Sequence, residues 1–259
     1  MVATRYKDRS IPRAPNKSWR MGEEPDPKLQ IKVQEYAMSQ TEANVFERGQ
    51  PTGSGSRRVL NTGCGAYSPE RLHATFRNSG WKEVRFDIDQ AVNPDILGSI
   101  VDMSKIESGS FDAIWCSHNL EHLHTHDIPK ALAEFNRVLK PDGFALIATP
   151  DLEAIAELIV NGRLEDTAYQ SPAGPITALD MLFGLSTSIA RGNLFMAHNT
   201  GFTADRMGRV LIETDFAEVL VKRGAHFDLW ALALMPDADK DSILAHLRAS
   251  NLDLVPDSV

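Results

Sequence analysis

The chain has 259 residues, 42% apolar and 24% charged, the balance of a globular protein with room for one elaborated α/β domain. Its formal net charge of −8, with no basic stripe along the body, excludes nucleic acid as the main partner. No apolar run approaches the ~20 residues that cross a bilayer, and the N-terminus lacks an apolar leader core, so the expectation is a cytoplasmic protein with no membrane partner.

Residues 1–50 read as a partly mobile arm. It is locally basic (Arg5, Lys7, Arg9, Arg13, Lys17, Arg20) and broken by Pro12, Pro15, Pro25 and Pro27, with one untidy helical pattern over Asp26–Val45. Gln50–Ser56 is a turn-rich linker that opens the main domain, expected over 51–235. A first strand, Val59–Thr62, runs into Gly63-Cys64-Gly65, and a helix is expected over Pro69–Ser79, capped by Ser68. A second strand, Glu83–Ile88, carries Asp87 at its tip; a short one falls within Asp95–Ser99, and a third clear strand is Phe111–Cys116. The stripe Ile128, Leu132, Phe135, Leu139 predicts a helix that Lys140-Pro141-Asp142-Gly143 ends, and Phe144–Ala148 reads as a further strand. Asp151–Val160 is helix-like, Arg163–Asn199 irregular, and Thr203 caps a helix to about Thr214. Strands Ala217–Val221 and Asp228–Leu234 follow, joined by a tight turn at Lys222–Ala225, then a tail over 236–259 with one short helix. Alternating helices and short apolar strands predict an α/β, doubly wound, mostly parallel sheet, and the terminal pair must be antiparallel because its link is too short for a crossover.

A strand feeding Gly-x-Gly lets backbone N–H groups approach a ligand, and an acid at the next strand tip suits the two hydroxyls of a ribose. In this setting Leu60-Asn-Thr-Gly-Cys-Gly65, Phe86-Asp-Ile-Asp89, Ser110 through His122 and Arg137-Val-Leu-Lys-Pro-Asp-Gly-Phe144 resemble the class I S-adenosylmethionine-dependent methyltransferases of the small-molecule type-11 group. The resemblance implies a Rossmann-like sheet of seven strands with the last antiparallel, and S-adenosylmethionine lying across the strand tips. It places Gly63 and Gly65, with Cys64 between them, under the methionine part, Asp87 on the ribose hydroxyls and Ile88 on the adenine. Ser99 and Ile100 fall where the family meets the adenine amino group, with Ser99 in place of an acid. Ser117 completes the expected cofactor contacts. Tyr67 stands where the family frequently has glycine, and brings a ring or hydroxyl toward the cofactor carboxylate.

His118, His122, His124 and His126 crowd beside Glu121 and Asp127, but a loop after a strand does not give them ligand spacing, and no metal is expected. His122 instead ties the loop to nearby backbone. His118 and Asn119 directly follow the strand tip where the transferable methyl group lies. The stretch Asn193–Phe202, with Phe195, His198 and Phe202, reads as a cover over a pocket within a 163–201 insertion on the acceptor side. If the acceptor is a hydroxyl, His118 and His198 are the candidate bases; a carboxylate or neutral amine needs none. Asn119, Phe195 and Phe202 are the candidate acceptor contacts. Cys64 and Cys116 are expected as reduced, packed thiols.

Two other readings stand beside methyl transfer to a small molecule: a nicotinamide oxidoreductase, which expects a third glycine where Ser68 stands, and a catalytically silent module that binds cofactor or a partner protein. The residues name neither the acceptor nor the oligomeric state.

Overall fold

The computed structural model describes residues 56–255. The expected arm with its helix, and all but the last residue of the linker, lie outside the described residues, as does the extreme C-terminus. Strands β1 (Arg57–Thr62), β2 (Trp81–Asp87), β3 (Ile96–Leu97), β4 (Phe111–Ser117) and β5 (Leu139–Pro150) come first in the chain. A separate hairpin, β6 (Thr167–Ser171) with β7 (Gly174–Thr177), precedes β8 (Glu218–Arg223) and β9 (Asp228–Leu234). Seven of them make one sheet in the order β3-β2-β1-β4-β5-β9-β8. Its pairs are parallel from β3 to β5, and β9 inserts antiparallel to both neighbours. This is the doubly wound sheet with an antiparallel last strand that the alternation of elements predicts.

Helices α1 (Ile128–Val138), α2 (Leu152–Val160), α3 (Ala178–Phe183), α4 (Ser186–Ala190), α5 (Ala204–Ile212) and α6 (Lys240–Ala249) complete the described secondary structure, with short 3₁₀ turns between. Period-two alternation sends successive strand residues to opposite faces. Leu60, Ile114, Cys116, Ala145 and Ile147 pack with α1 and α5, whereas Val59, Ala113, Trp115, Phe144 and Leu146 pack with α6. On α1 the buried residues Ile128, Ala131, Leu132, Phe135 and Val138 form the stripe that three- and four-residue spacing produces. Asp151 caps α2 by accepting from the Glu153 N–H, and Thr203 caps α5 by accepting from that of Arg206.

The structure differs from the sequence-based expectation in four places. The helix expected over Pro69–Ser79 is two 3₁₀ turns, Pro69–Arg71 and Ala74–Phe76, separated by extended Leu72 and His73. The Trp115 indole N–H takes the Arg71 carbonyl and the Arg77 side chain takes that of Leu72, so two acceptors a helix needs are already used. Ser68 still caps the first turn. The helix does stop where expected, at Val138, but Lys140–Gly143 is not a separate turn: it lies inside β5 as a register shift against β4. The stretch 163–199 is not irregular: it holds the β6–β7 hairpin, α3 and α4 around Ile155, Leu158, Ile176 and Met181. Finally, the β8–β9 turn falls at Gly224–Phe227, because β8 continues to Arg223.

His73, in the extended break, sits among aromatic rings, with centroids 5.4 Å from Trp115 and 5.6 Å from Trp230. Its Nδ1 accepts the Thr75 N–H at 3.3 Å, which requires the neutral ring. Burial, helped by the charge of Arg77, pushes its pKa down to about 4 from 6.5. The folded value lies below the unfolded one, so the unfolded chain binds the extra proton. Stability from this group is intact above the unfolded value and is lost as pH falls toward the folded one. The full shift corresponds to about 3 kcal/mol, reduced to ~1–2 kcal/mol by the ring's partial exposure. Urea unfolding of wild type and His73→Gln across this window is expected to show the gap between them closing toward acid. Parallel pH profiles would refute it.

Candidate active site

The ends of parallel strands β1, β2 and β4 meet at one edge, where open α/β sheets hold ligands. After β1 the chain turns through Gly63 and Gly65 at φ +66° and +58°, conformations that suit glycine. Space forbids a side chain as well: a Cβ on Gly63 would lie 2.7 Å from the Asn119 side chain, and one on Gly65 would meet the Arg71 guanidinium. The Gly63 and Cys64 N–H groups donate to the Phe86 carbonyl at 2.8 and 3.2 Å. Asp87 accepts from the Gly65 N–H at 2.8 Å on one oxygen and from the Asp89 N–H at 2.9 Å on the other. Each carboxylate oxygen retains a further lone pair. Asp89 caps the following turn through the Ala91 N–H. Arg85 donates to the carbonyls of Gly65, Val92 and Asn93, which ties the glycine turn to the loop after β2.

These tips border a cavity of about 780 Å³. Gly63, Cys64 and Gly65 line it from the β1 turn, Asp87 and Ile88 from the end of β2, and Ser99 and Ile100 from the stretch after β3. Ser117, His118 and Asn119 line it from the end of β4, and Asn193–Ala197, including Phe195, from the long connection before α5.

Three expected contacts lie elsewhere. Tyr67 is 70% exposed, with the Arg85 guanidinium 5.7 Å from its ring centroid, and is not part of the lining. Phe202 is fully buried in the sheet core, because its carbonyl accepts the Leu152 N–H and its backbone bridges to Asp151. His198 borders a small separate cavity with Glu121, Leu152 and Met181, held there by Nδ1 on the Met181 carbonyl at 2.9 Å. Burial holds the His198 pKa below its usual value. In turn the large cavity takes in Arg71, His73, Arg77, Trp115 and Trp230, to which the sequence pattern gave no role. The last two belong to β4 and β9, and only sheet pairing brings them together.

His118 follows β4 in the left-handed region, at φ +48°, an uncommon conformation for a non-glycine residue. Its N–H is fixed on the Ala148 carbonyl at 2.8 Å. The imidazole is 55% exposed and places Nδ1 3.3 Å from Oε1 of Glu121, whose side chain is 1% exposed. Burial works to raise the Glu121 pKa, but His118 first and His122 second outweigh it, so the carboxyl stays below its usual range. His122 bonds Nδ1 to the Ala197 carbonyl at 3.1 Å, the tie to backbone expected of it. The Asn199 and Thr200 N–H groups both donate to the Glu121 carbonyl, so the long connection returns to the sheet directly over this loop.

A bare glycine turn that a Cβ would obstruct, an acid with free lone pairs, a half-exposed Ile88 and a guanidinium over Gly65 fit a ribonucleoside that carries an amino-acid chain. A family model described as a methyltransferase domain matches residues 60–147. No curated protein matches the chain. Among solved structures, it is similar to an S-adenosylmethionine-dependent methyltransferase from Archaeoglobus fulgidus, at 13% identity over 80% of this chain and 93% of that one, with a TM-score of 0.48. A Thermotoga maritima protein described as a possible histamine N-methyltransferase shows 12% identity over 69% and 82%, with a TM-score of 0.46. The 1,6-didemethyltoxoflavin-N1-methyltransferase of Burkholderia thailandensis, solved with bound 1,6-didemethyltoxoflavin and S-adenosylhomocysteine, shows 16% identity over 70% of this chain and 71% of that one, with a TM-score of 0.44. Residues 60–147 thus match a methyltransferase domain and lie on a seven-stranded sheet of the order β3-β2-β1-β4-β5-β9-β8. Among the described residues no helix is long and apolar enough to cross a membrane.

Proposed function

We propose that the large cavity binds S-adenosylmethionine and admits a small-molecule methyl acceptor beside it. When bound, the cofactor supplies a methyl group already activated on a sulfonium sulfur. The observation that carries the reading is the convergence on one cavity of Gly63, Gly65 and Asp87 with His118, Asn119 and Phe195. Gly63, Cys64 and Gly65 would hold the amino-acid end, with Arg71 a suitable counter-charge for its carboxylate. Asp87 would accept from the ribose hydroxyls, and Ile88, Ser99, Ile100 and Ser117 would border the base.

The chain's own work in methyl transfer is alignment and exclusion of water. Asn119 would orient the acceptor and Phe195 would cover it from the 163–201 insertion. Burial works to lower the His118 pKa, but Glu121 beside Nδ1 outweighs it and holds the value above its usual one; once deprotonated, the ring with Nδ1–H turned to that carboxylate keeps its lone pair on Nε2. His118 is therefore the side chain we assign to receive a hydroxyl acceptor's proton, while His198, outside the cavity, is given no part in that step.

S-adenosylhomocysteine at about 100 times its dissociation constant is expected to add about 2.7 kcal/mol of stability, a rise in Tm of roughly 5–10 °C. NAD is expected to add none. No shift with S-adenosylhomocysteine would overturn the cofactor assignment. Transfer of label from methyl-labelled S-adenosylmethionine into a low-molecular-weight metabolite fraction tests the acceptor class, and label found only in protein would refute it.

A further inference from the structure

Glu121, His122 and His198 bring three donor atoms within 4.8 Å of one another. The proposed function uses only the Glu121 contact with His118, and only the fold assembles the group, since His198 comes from the far end of the long connection.

The histidines are already oriented as ligands. His122 Nδ1 lies 3.1 Å from the Ala197 carbonyl and His198 Nδ1 2.9 Å from that of Met181. A carbonyl only accepts, so both Nδ1 atoms carry hydrogen, which in a neutral ring leaves the lone pair on Nε2 for a metal. Metal-binding histidines are typically fixed in this way, by a backbone carbonyl on the other nitrogen. Their ring centroids are 4.9 Å apart.

The carboxylate supplies an independent observation. Glu121 is 1% exposed, and neither side-chain oxygen has a hydrogen-bond partner. His118 Nδ1 approaches Oε1 to 3.3 Å, without the alignment of a hydrogen bond. Buried carboxylates are stabilised by hydrogen bonds, by a paired charge or by a metal. Here two imidazole rings each bring a ligand nitrogen within 4.8 Å of this buried carboxylate, a donor set that a cation between them would satisfy.

We propose that Glu121, His122 Nε2 and His198 Nε2 form a binding site for a divalent first-row transition ion of the Zn²⁺ type. Two imidazoles and one carboxylate suit that ion and leave a coordination position open. Bonds of ~2.0–2.1 Å require donors about 3.3 Å apart in a tetrahedral site, so binding draws the three side chains inward by roughly an ångström. The ion then clamps the returning segment Ala197–Thr200 onto the loop after β4, beside His118 and the cavity wall.

The test uses the full-length chain stripped with a chelator and titrated with Co²⁺ as a visible-spectrum probe, then with Zn²⁺ in competition. The expected result is one ion per chain with the intense absorption of a four- or five-coordinate site, displaced by Zn²⁺. Glu121→Gln, His122→Gln and His198→Gln are each expected to weaken binding about 100-fold or more. His124→Ala/His126→Ala, which removes the exposed stacked pair at 5.6 Å, is expected to leave it unchanged. S-adenosylhomocysteine binding by each variant separates lost metal from lost fold. If one variant fails to fold, the other two decide. No saturable site, or binding that disappears with His124 and His126, would overturn the proposal whatever the cofactor result.

Discussion

Asp87→Ala is expected to raise the dissociation constant for S-adenosylhomocysteine about 10- to 100-fold, the ~1.5–3 kcal/mol of charge-assisted hydrogen bonds to a carboxylate. The change acts twice. It removes the acceptor assigned to the ribose, and it frees the Gly65 and Asp89 N–H groups that Asp87 now holds, which loosens the turn beneath the cofactor. Asp87→Asn keeps shape and one carbonyl oxygen but turns an NH₂ toward one of those donors, so it should fall between. Folding is expected to survive, because Val59, Leu60 and Phe86 anchor the two strands in the core. Isothermal titration calorimetry decides the matter, and an unchanged affinity would remove Asp87 from the site.

Gly184→Ala is expected to destabilise the chain by about 2–4 kcal/mol. Gly184 lies at φ +93° and ψ 160°, a region essentially reserved for glycine that costs other residues ~1–3 kcal/mol. A Cβ there would also collide with the Met196 carbonyl. That neighbour is backbone, and it lies in the stretch that lines the large cavity, so no rotamer change relieves the clash. The asparagine-to-alanine run 193–197 must shift, and His198, whose N–H rests on the Phe183 carbonyl, shifts with it. Urea denaturation should show a lower midpoint. A change below ~0.5 kcal/mol, the range of an ordinary surface substitution, would mean that the close approach is absent.

What was legible in the sequence was local in cause. The glycine turn, the acid at the tip of β2, the stripe of α1 and the caps Asp151 and Thr203 each depend on residues a few positions apart, so pattern alone finds them. The break at Leu72–His73 was not legible, because the groups that take its carbonyls are Trp115, far along the chain, and Arg77, whose side-chain conformation no propensity encodes. Phe195 and Phe202 look alike in sequence, aromatic residues near glycines, yet one lines the cavity and the other is wholly buried. The backbone pairing of Phe202 with Asp151 and Leu152 separates them. Glu121 stood out in sequence only as an acid beside the crowded histidines, with nothing local to mark it for burial. Its burial comes from the return of Asn199 and Thr200 onto its carbonyl, and that return also delivers His198.

The antiparallel insertion of β9 has a consequence for synthesis. β5 is deeply apolar, with Ala145, Leu146 and Ile147 at 0% exposure, and along Phe144–Pro150 one of its flanks is covered only by β9. Chains fold as they emerge, N-terminal parts first. Until Asp228–Leu234 has left the ribosome, β1 to β5 can pair while β5 remains an open edge with unpaired N–H and C=O groups, the kind of edge that recruits other chains. The intervening hairpin and α2 to α5 lengthen that interval. A nascent or truncated chain lacking β9 is thus the aggregation-prone species of this protein, and the last strand of the sheet works as its seal.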